Sequence, residues 1–120
     1  MESYRELKVW QQAMDLAVEC YATTKAFPKE ELFGMTSQIR RCATSVPANI
    51  AEGWGRQSTG DYIKFLRIAQ GSLKELETHL LLCTRVELLD TDNLQQFESR
   101  TTDIGKMLAA LIRSLQQKNP

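Results

Sequence analysis

The chain has 120 residues, of which 42% are hydrophobic and 25% are charged, and its 15 basic side chains balance 15 acidic ones. This length predicts a single domain over residues 1–120, because two independent cores would need a longer chain. A net charge of zero excludes a polycation that coats nucleic acid by charge alone. No apolar run reaches the roughly 18 residues of a membrane span, so we expect no membrane association.

Helical periodicity runs through the whole sequence and predicts four helices. The first covers about residues 3–26 and ends before Pro28, since proline disfavours helical backbone in the residue that precedes it. The second covers about residues 30–52, the third about 60–89 and the fourth about 93–117. Strand-like alternation persists nowhere, so the sequence predicts an all-α fold.

Proline and glycine mark special positions inside these helices. Pro47 lies within the second helix, where its missing N–H should kink or loosen the preceding turn. Gly53 and Gly55 are expected to end that helix. Gly71 lies in the middle of the third helix at a cost of about 1 kcal/mol relative to alanine, which suggests close packing against another helix.

Four long helices with short connections predict an antiparallel up-down-up-down four-helix bundle. Many apolar residues fall outside the main apolar stripes, and a four-helix monomer could not bury them all. These residues are Val9, Leu16, Val18, Ile63, Ile68, Leu81, Leu82, Met107 and Ile112. The surplus predicts that the chain assembles with copies of itself into a homo-oligomer.

Few residues suited to metal binding or catalysis are present. The single histidine, His79, cannot supply the Glu-x-x-His pairs of a di-iron bundle, and we expect it in a solvent-side or interhelical hydrogen bond. Cys20, Cys42 and Cys83 fall on apolar stripes and are expected to pack in the core, which favours the reducing cytoplasm. We therefore expect no enzyme, no bound metal and no cofactor.

A row of polar residues lies beside the apolar stripe of the second helix. Because its members are three or four positions apart, they share one helical side and predict a hydrogen-bond network that fixes packing against the third helix. The row and its expected partners are Gln38, Arg41, Ser45, Asn49, Glu52, Glu75 and Glu77. Arg41 is expected to pair with Glu75, or alternatively with Glu77. A ligand site, or an enzyme that uses Arg41, Asn49 and Glu52, is the alternative interpretation.

Charge is uneven along this neutral chain. Residues 40–74 contain six basic and two acidic side chains, a net charge of +4. Basic side chains beside aromatic rings can hold phosphates and stack on bases. The candidate nucleic-acid-binding residues are Arg40, Trp54, Arg56, Lys64 and Arg67. The alternatives are a solvated rim and a protein–protein adaptor that binds no nucleic acid.

Several segments together resemble a known family. LKVW at residues 7–10, QIRR at 38–41, SVPANIAEG at 45–53 and GSLKELE at 71–77 occur in this order. The sequence resembles the four-helix-bundle proteins encoded by intervening sequences in bacterial 23S rRNA genes. Its polar residues Gln38, Arg41, Asn49, Glu52, Glu75 and Glu77 match recurring polar positions of that family, which have no proven role.

The resemblance implies a cytosolic bacterial protein that assembles as a ring, a pentamer, without an established enzymatic activity. The family is similar in fold to the accessory variability determinant proteins of diversity-generating retroelements, which are basic pentameric barrels that bind nucleic acid and a reverse transcriptase. This chain is neutral and keeps only a local basic end. The sequence therefore predicts a non-catalytic homo-oligomeric scaffold that binds RNA or a nucleoprotein through that end.

Overall fold

The computed structural model describes residues 1–118, and within that range the chain is a helical bundle without strands. Four α-helices account for most of it: α1 (Lys8–Thr24), α2 (Ser37–Trp54), α3 (Thr59–Arg85) and α4 (Thr91–Lys118). The predicted all-α fold with four helices is confirmed. None of these helices combines the length and apolarity that crossing a bilayer requires.

The N-terminal segment divides where the sequence predicted one continuous helix. Ser3 caps a separate 3₁₀ turn at Tyr4–Glu6 by accepting a hydrogen bond from the backbone N–H of Arg5. Leu7 then adopts extended backbone, with φ −69° and ψ 123°, so α1 begins only at Lys8.

The connection between α1 and α2 is longer than predicted. A 3₁₀ turn at Lys29–Glu31 is followed by a π-helical segment at Leu32–Thr36, and α2 begins at Ser37. Gly34 interrupts this segment with non-helical backbone, at φ −108° and ψ −114°. The helical apolar pattern of this region continues across the break, which explains why the predicted second helix began too early.

Glycine and proline play different parts in α2 and α3 from those predicted. Gly53 is buried inside α2, where an added Cβ would lie 2.9 Å from Cβ of Phe65 and 3.1 Å from the backbone oxygen of Tyr62. It therefore permits the close approach of α3, and Gly55 is the residue that caps the helix.

Pro47 lies inside α2, which continues as a helix on both sides of it. A Cβ at Gly71 would meet nothing within 4 Å, so the expected close packing there is wrong.

The helix α3 ends at Arg85, four residues earlier than predicted. The N–H of Leu88 donates to the carbonyl of Cys83 and the N–H of Glu87 to that of Thr84, at 2.8 and 3.2 Å. These two bonds form a Schellman motif, which requires a left-handed residue after the helix. Glu87 supplies it at φ 67°. The sequence has no glycine after Arg85, so it lacks the residue type that usually marks the end of a helix.

The core draws on all four helices. Both α1 and α3 pack mainly against α2 and α4. The largest fully buried side chains include Leu16, Ile39, Ile50, Leu66, Leu73, Leu76, Ile104 and Leu108. The three cysteines are buried and unpaired, as predicted.

The apolar residues predicted to be in surplus divide into two groups. Val9, Leu16 and Ile112 belong to the core, so their expected exposure is wrong. The reason is that the buried face of each helix is wider than the narrow stripe assumed from spacing. Val18 of α1 remains 65% exposed and Leu82 of α3 remains 45% exposed. A real surplus of apolar surface therefore remains on these two helices.

Candidate functional site

The predicted basic end forms around Phe65, in the second turn of α3. The Arg56 guanidinium lies 4.7 Å from the centre of the Phe65 ring, and Nζ of Lys64 lies 5.9 Å from it. Arg56 also forms an ion pair with Glu52 at 2.6 Å, on the exposed surface. Such exposed pairs contribute little to stability, so Arg56 can exchange its carboxylate partner for another anion.

Trp54 lies beside this cluster but is only partly accessible. Its ring meets that of Tyr4 edge-on, with centroids 6.3 Å apart, and Tyr4 meets Trp10 in the same way at 5.3 Å. This aromatic row ties the N-terminal 3₁₀ turn to the end of α2. Trp54 therefore has a structural role in holding the N-terminal turn against α2.

Arg40 does not belong to the basic end. It lies in the first turn of α2, about 21 Å along the helix axis from Trp54. Its Nε donates a hydrogen bond to Oγ1 of Thr24 at 2.9 Å, and its guanidinium lies 4.5 Å from the centre of the Tyr21 ring. These contacts attach α2 to α1, and the prediction that grouped Arg40 with Arg56 fails because helical rise separates them.

Arg67 is exposed on α3, two residues after Phe65, and lines a groove of about 710 Å³ between α3 and α4. Lys74 and Lys106 line the same groove. Lys106 was not predicted to join these cations, because it lies far along the chain on α4. The absence of side chains at Gly71 and Gly105 leaves this groove open.

The polar row of α2 meets α3 through hydroxyl groups. Oγ of Ser45 and Oγ of Ser72 are hydrogen-bonded at 2.8 Å. Nδ2 of Asn49 donates to the backbone oxygen of Ser45 at 2.8 Å and to its Oγ at 3.0 Å. These half-buried groups form an interhelical network, and Ser72 is its contribution from α3.

The predicted interhelical ion pair of Arg41 is not formed. Arg41 is exposed, and within residues 1–118 no ion pair joins it to Glu75 or Glu77. Glu77 instead lies 3.4 Å from Lys74 on its own helix. Gln38 is half-buried. A long basic side chain at the surface, such as that of Arg41, is stabilised more by hydration than by one fixed partner, which explains the missing ion pair.

Three potential metal ligands meet one turn from the serine pair. Sγ of Cys42, a carboxylate oxygen of Glu75 and a ring nitrogen of His79 all lie within 4.8 Å of one another. Nε2 of His79 is buried and makes no hydrogen bond, so the bond expected of His79 is not made through this atom. Burial, followed by the hydrogen bond and charge of Glu75, raises the pKa of Cys42 to about 12. Their proximity was not predicted from the sequence, because Cys42 lies on a different helix from Glu75 and His79.

The other two thiols are isolated in the core. Burial is the main cause that raises the pKa of Cys20 to about 12 and that of Cys83 to about 11. Both thiols are therefore protonated at neutral pH, and a protonated thiol is a poor nucleophile.

The outer side of α1 and α2 carries an apolar groove of about 550 Å³. Met14, Val18 and Tyr21 project into it from α1, and these side chains are 40%, 65% and 42% exposed. Pro47 and Ala48 form its wall on α2. The groove contains few polar groups, so water molecules inside it can form few hydrogen bonds with the protein.

Comparison with known proteins agrees with this architecture. Residues 5–110 match the model of the 23S rRNA-intervening sequence protein family. A crystal structure from Bacteroides thetaiotaomicron, of a protein with unknown function from the S23 ribosomal protein family, superposes with a TM-score of 0.82. That relative is 32% identical, and the match covers 88% of this chain and 95% of the relative. No match was found among curated protein sequences. The family match and the structural relative agree over most of the bundle, and the chain belongs to the 23S rRNA-intervening sequence protein family.

Proposed function

We propose that this protein is a non-catalytic scaffold that assembles with copies of itself through the apolar groove of α1 and α2. The observation that carries the proposal is the exposure of Met14, Val18 and Tyr21 in that groove. Burying such side chains in a partner gains about 25 cal/mol for each Å² removed from water. A standard interface covers about 800 Å² on each partner, roughly a tenth of the 7340 Å² surface of this chain.

The occupant of the groove is a second copy of this chain, which presents apolar surface on α3. Ile68 and Leu82 are exposed there, as is Val86 just after the helix, and α1 and α3 are not direct packing neighbours in the bundle. Two different apolar faces on one chain favour a head-to-tail contact, which generates a ring when the rotation between successive copies closes. The family resemblance implies a pentamer. The three buried, unpaired thiols favour the cytoplasm as the place of assembly.

Contacts between α2 and α3 support the proposed antiparallel up-down-up-down arrangement within each copy. Gly53 approaches Phe65, Ser45 pairs with Ser72, and Cys42 lies near His79. Residue numbers fall along α2 as they rise along α3.

Light scattering coupled to size exclusion tests the assembly. We expect an integral multiple of the 13.7 kDa chain mass for the wild type. Val18→Glu should give a folded monomer, because a charge in the apolar groove opposes burial. Ala110→Glu, at an exposed position of α4, should keep the wild-type mass. A wild-type monomer, or a Val18→Glu variant that assembles normally, would contradict the proposal.

RNA binding is a second candidate function of this scaffold, and the basic side chains near the turn between α2 and α3 favour it. Arg56 and Lys64 both lie close to the Phe65 ring, and Arg67 adds a third positive charge nearby on α3, at the α3–α4 groove. A ring would repeat this modest patch in every copy, and repeated weak contacts raise the overall affinity. Each phosphate contact would release counterions and make binding sensitive to salt.

Fluorescence anisotropy with a structured RNA and a DNA duplex, at low and at physiological salt, tests this candidate. We expect binding that weakens with salt and is lost in the double variant Arg56→Glu, Lys64→Glu. The double variant Lys29→Glu, Arg85→Glu, at exposed positions away from the turn between α2 and α3, is the charge-matched control and should bind as wild type. Absence of binding at low salt would leave a protein–protein adaptor as the function of the scaffold.

A further inference from the structure

A cluster of three different ligand types lies where α2 faces α3. Sγ of Cys42, a carboxylate oxygen of Glu75 and a ring nitrogen of His79 lie within 4.8 Å of one another. Glu75 and His79 are four residues apart on α3, so their side chains share one helical face. Cys42 comes from α2. The helix pair therefore supplies two adjacent ligands from one side and a third from the other.

The histidine nitrogen in this cluster lacks a partner. Nε2 of His79 is buried and forms no hydrogen bond within residues 1–118. Its nearest anionic atom is Oε2 of Glu75, at 3.7 Å, which is too long for a hydrogen bond. A buried polar atom without a partner costs free energy. A metal ion beside Nε2 would accept its lone pair and remove that cost.

We propose that Cys42, Glu75 and His79 bind a zinc ion between α2 and α3. Thiolate, imidazole and carboxylate are the ligand types that Zn²⁺ takes in proteins, and a thiolate with a carboxylate balances its charge. Ligand atoms around a tetrahedral zinc ion are about 3.3 to 3.8 Å apart. Movements of the ligand atoms by about 1 Å, through rotation of their side chains, would therefore complete the site. Glu75 is half-exposed and free to make this adjustment.

Binding replaces the S–H bond of Cys42 by a sulfur–zinc bond, and the thiol proton passes to solvent. Three protein ligands leave the fourth tetrahedral position for water on the solvent side of Glu75. The ion would join α2 to α3 at mid-bundle, away from the apolar groove and the cations around Phe65. The zinc site is therefore independent of the proposed assembly and RNA binding.

Metal titration of the full-length protein tests the site. Isothermal titration of metal-free protein with zinc chloride should show one ion per chain. Cobalt(II) should give a thiolate-to-metal charge-transfer band in the near ultraviolet. Glu75→Gln, His79→Gln and Cys42→Ser should each weaken zinc binding at least tenfold, since even outer-sphere changes weaken metal binding by about 10- to 100-fold. Glu77→Gln, two residues from Glu75, and Cys20→Ser, at a buried thiol outside the cluster, should bind zinc as wild type.

Two outcomes would overturn the proposal. One is the failure of folded wild-type protein to bind zinc at micromolar concentration. The other is unchanged zinc affinity in both Glu75→Gln and His79→Gln. If Cys42→Ser does not fold, as judged by far-ultraviolet circular dichroism, these two α3 variants decide the question, because both side chains reach the surface.

Discussion

The close approach of α2 and α3 at Gly53 makes a sharp prediction for the variant Gly53→Ala. Alanine in a helix interior is normally favoured over glycine by about 1 kcal/mol. Here the added methyl group would lie 2.9 Å from Cβ of Phe65 and 3.1 Å from the backbone oxygen of Tyr62. Both atoms are fixed to the backbone of α3, so no rotation of a side chain relieves the overlap.

The overlap forces the two helices apart, and overpacking of this kind costs about 1 to 3 kcal/mol. After subtraction of the helix-propensity gain, the free energy of unfolding should fall by up to about 2 kcal/mol. Gly71→Ala is the matched control, since it also lies inside a helix but its new Cβ would meet nothing within 4 Å. That variant should be more stable than wild type by about 0.5 to 1 kcal/mol.

Urea unfolding followed by far-ultraviolet circular dichroism measures both changes. All proteins should be compared at one concentration, because assembly would make stability depend on concentration. Equal slopes of free energy against urea would show that only stability has changed. If Gly53→Ala is as stable as Gly71→Ala, the close approach at Gly53 does not limit side-chain size, and the reasoning is refuted.

Three further changes have defined outcomes. Glu87→Gly should raise the free energy of unfolding by about 1 kcal/mol, measured in urea, because glycine adopts φ 67° without the strain of a side chain. Ser58→Ala should lower it by about 1 kcal/mol in the same assay, since Oγ of Ser58 accepts the N–H of Asp61 at the start of α3. The raised pKa values of Cys20 and Cys83 mean that both thiols stabilise the fold fully below pH 9, with the contribution lost as pH rises toward about 12 for Cys20 and about 11 for Cys83. Stability should therefore fall above pH 9, with a smaller slope in Cys20→Ala, and an equal slope would contradict this account.

Periodicity predicted the helices well because most of the core follows simple helical spacing. Leu66, Leu73 and Leu80 of α3 are seven apart and all lie in the core, as their pattern requires. Helix boundaries were predicted less well. Glu87 ends α3 in a left-handed conformation that its residue type disfavours, so only the tertiary structure reveals it.

The candidate sites depended on contacts that spacing alone cannot show. The sequence grouped Arg40 with Arg56 by charge, but the rise of α2 separates them. Cys42 lies more than thirty positions before Glu75, and only the pairing of α2 with α3 brings the two side chains together. Ser45 of the predicted polar row does contact α3 through its hydrogen bond to Ser72, whereas Gly53, which was predicted to end α2, instead packs against Phe65.

The short connection between α2 and α3 has a consequence for the order of folding. Only residues 55–58 separate the two helices, and Gly53 lies next to this turn. Closing so small a loop costs little chain entropy, whereas residues 25–36 must be ordered before α1 meets α2. The α2–α3 hairpin is therefore expected to form in the folding transition state. In stopped-flow refolding, Gly53→Ala should then slow folding more than it speeds unfolding.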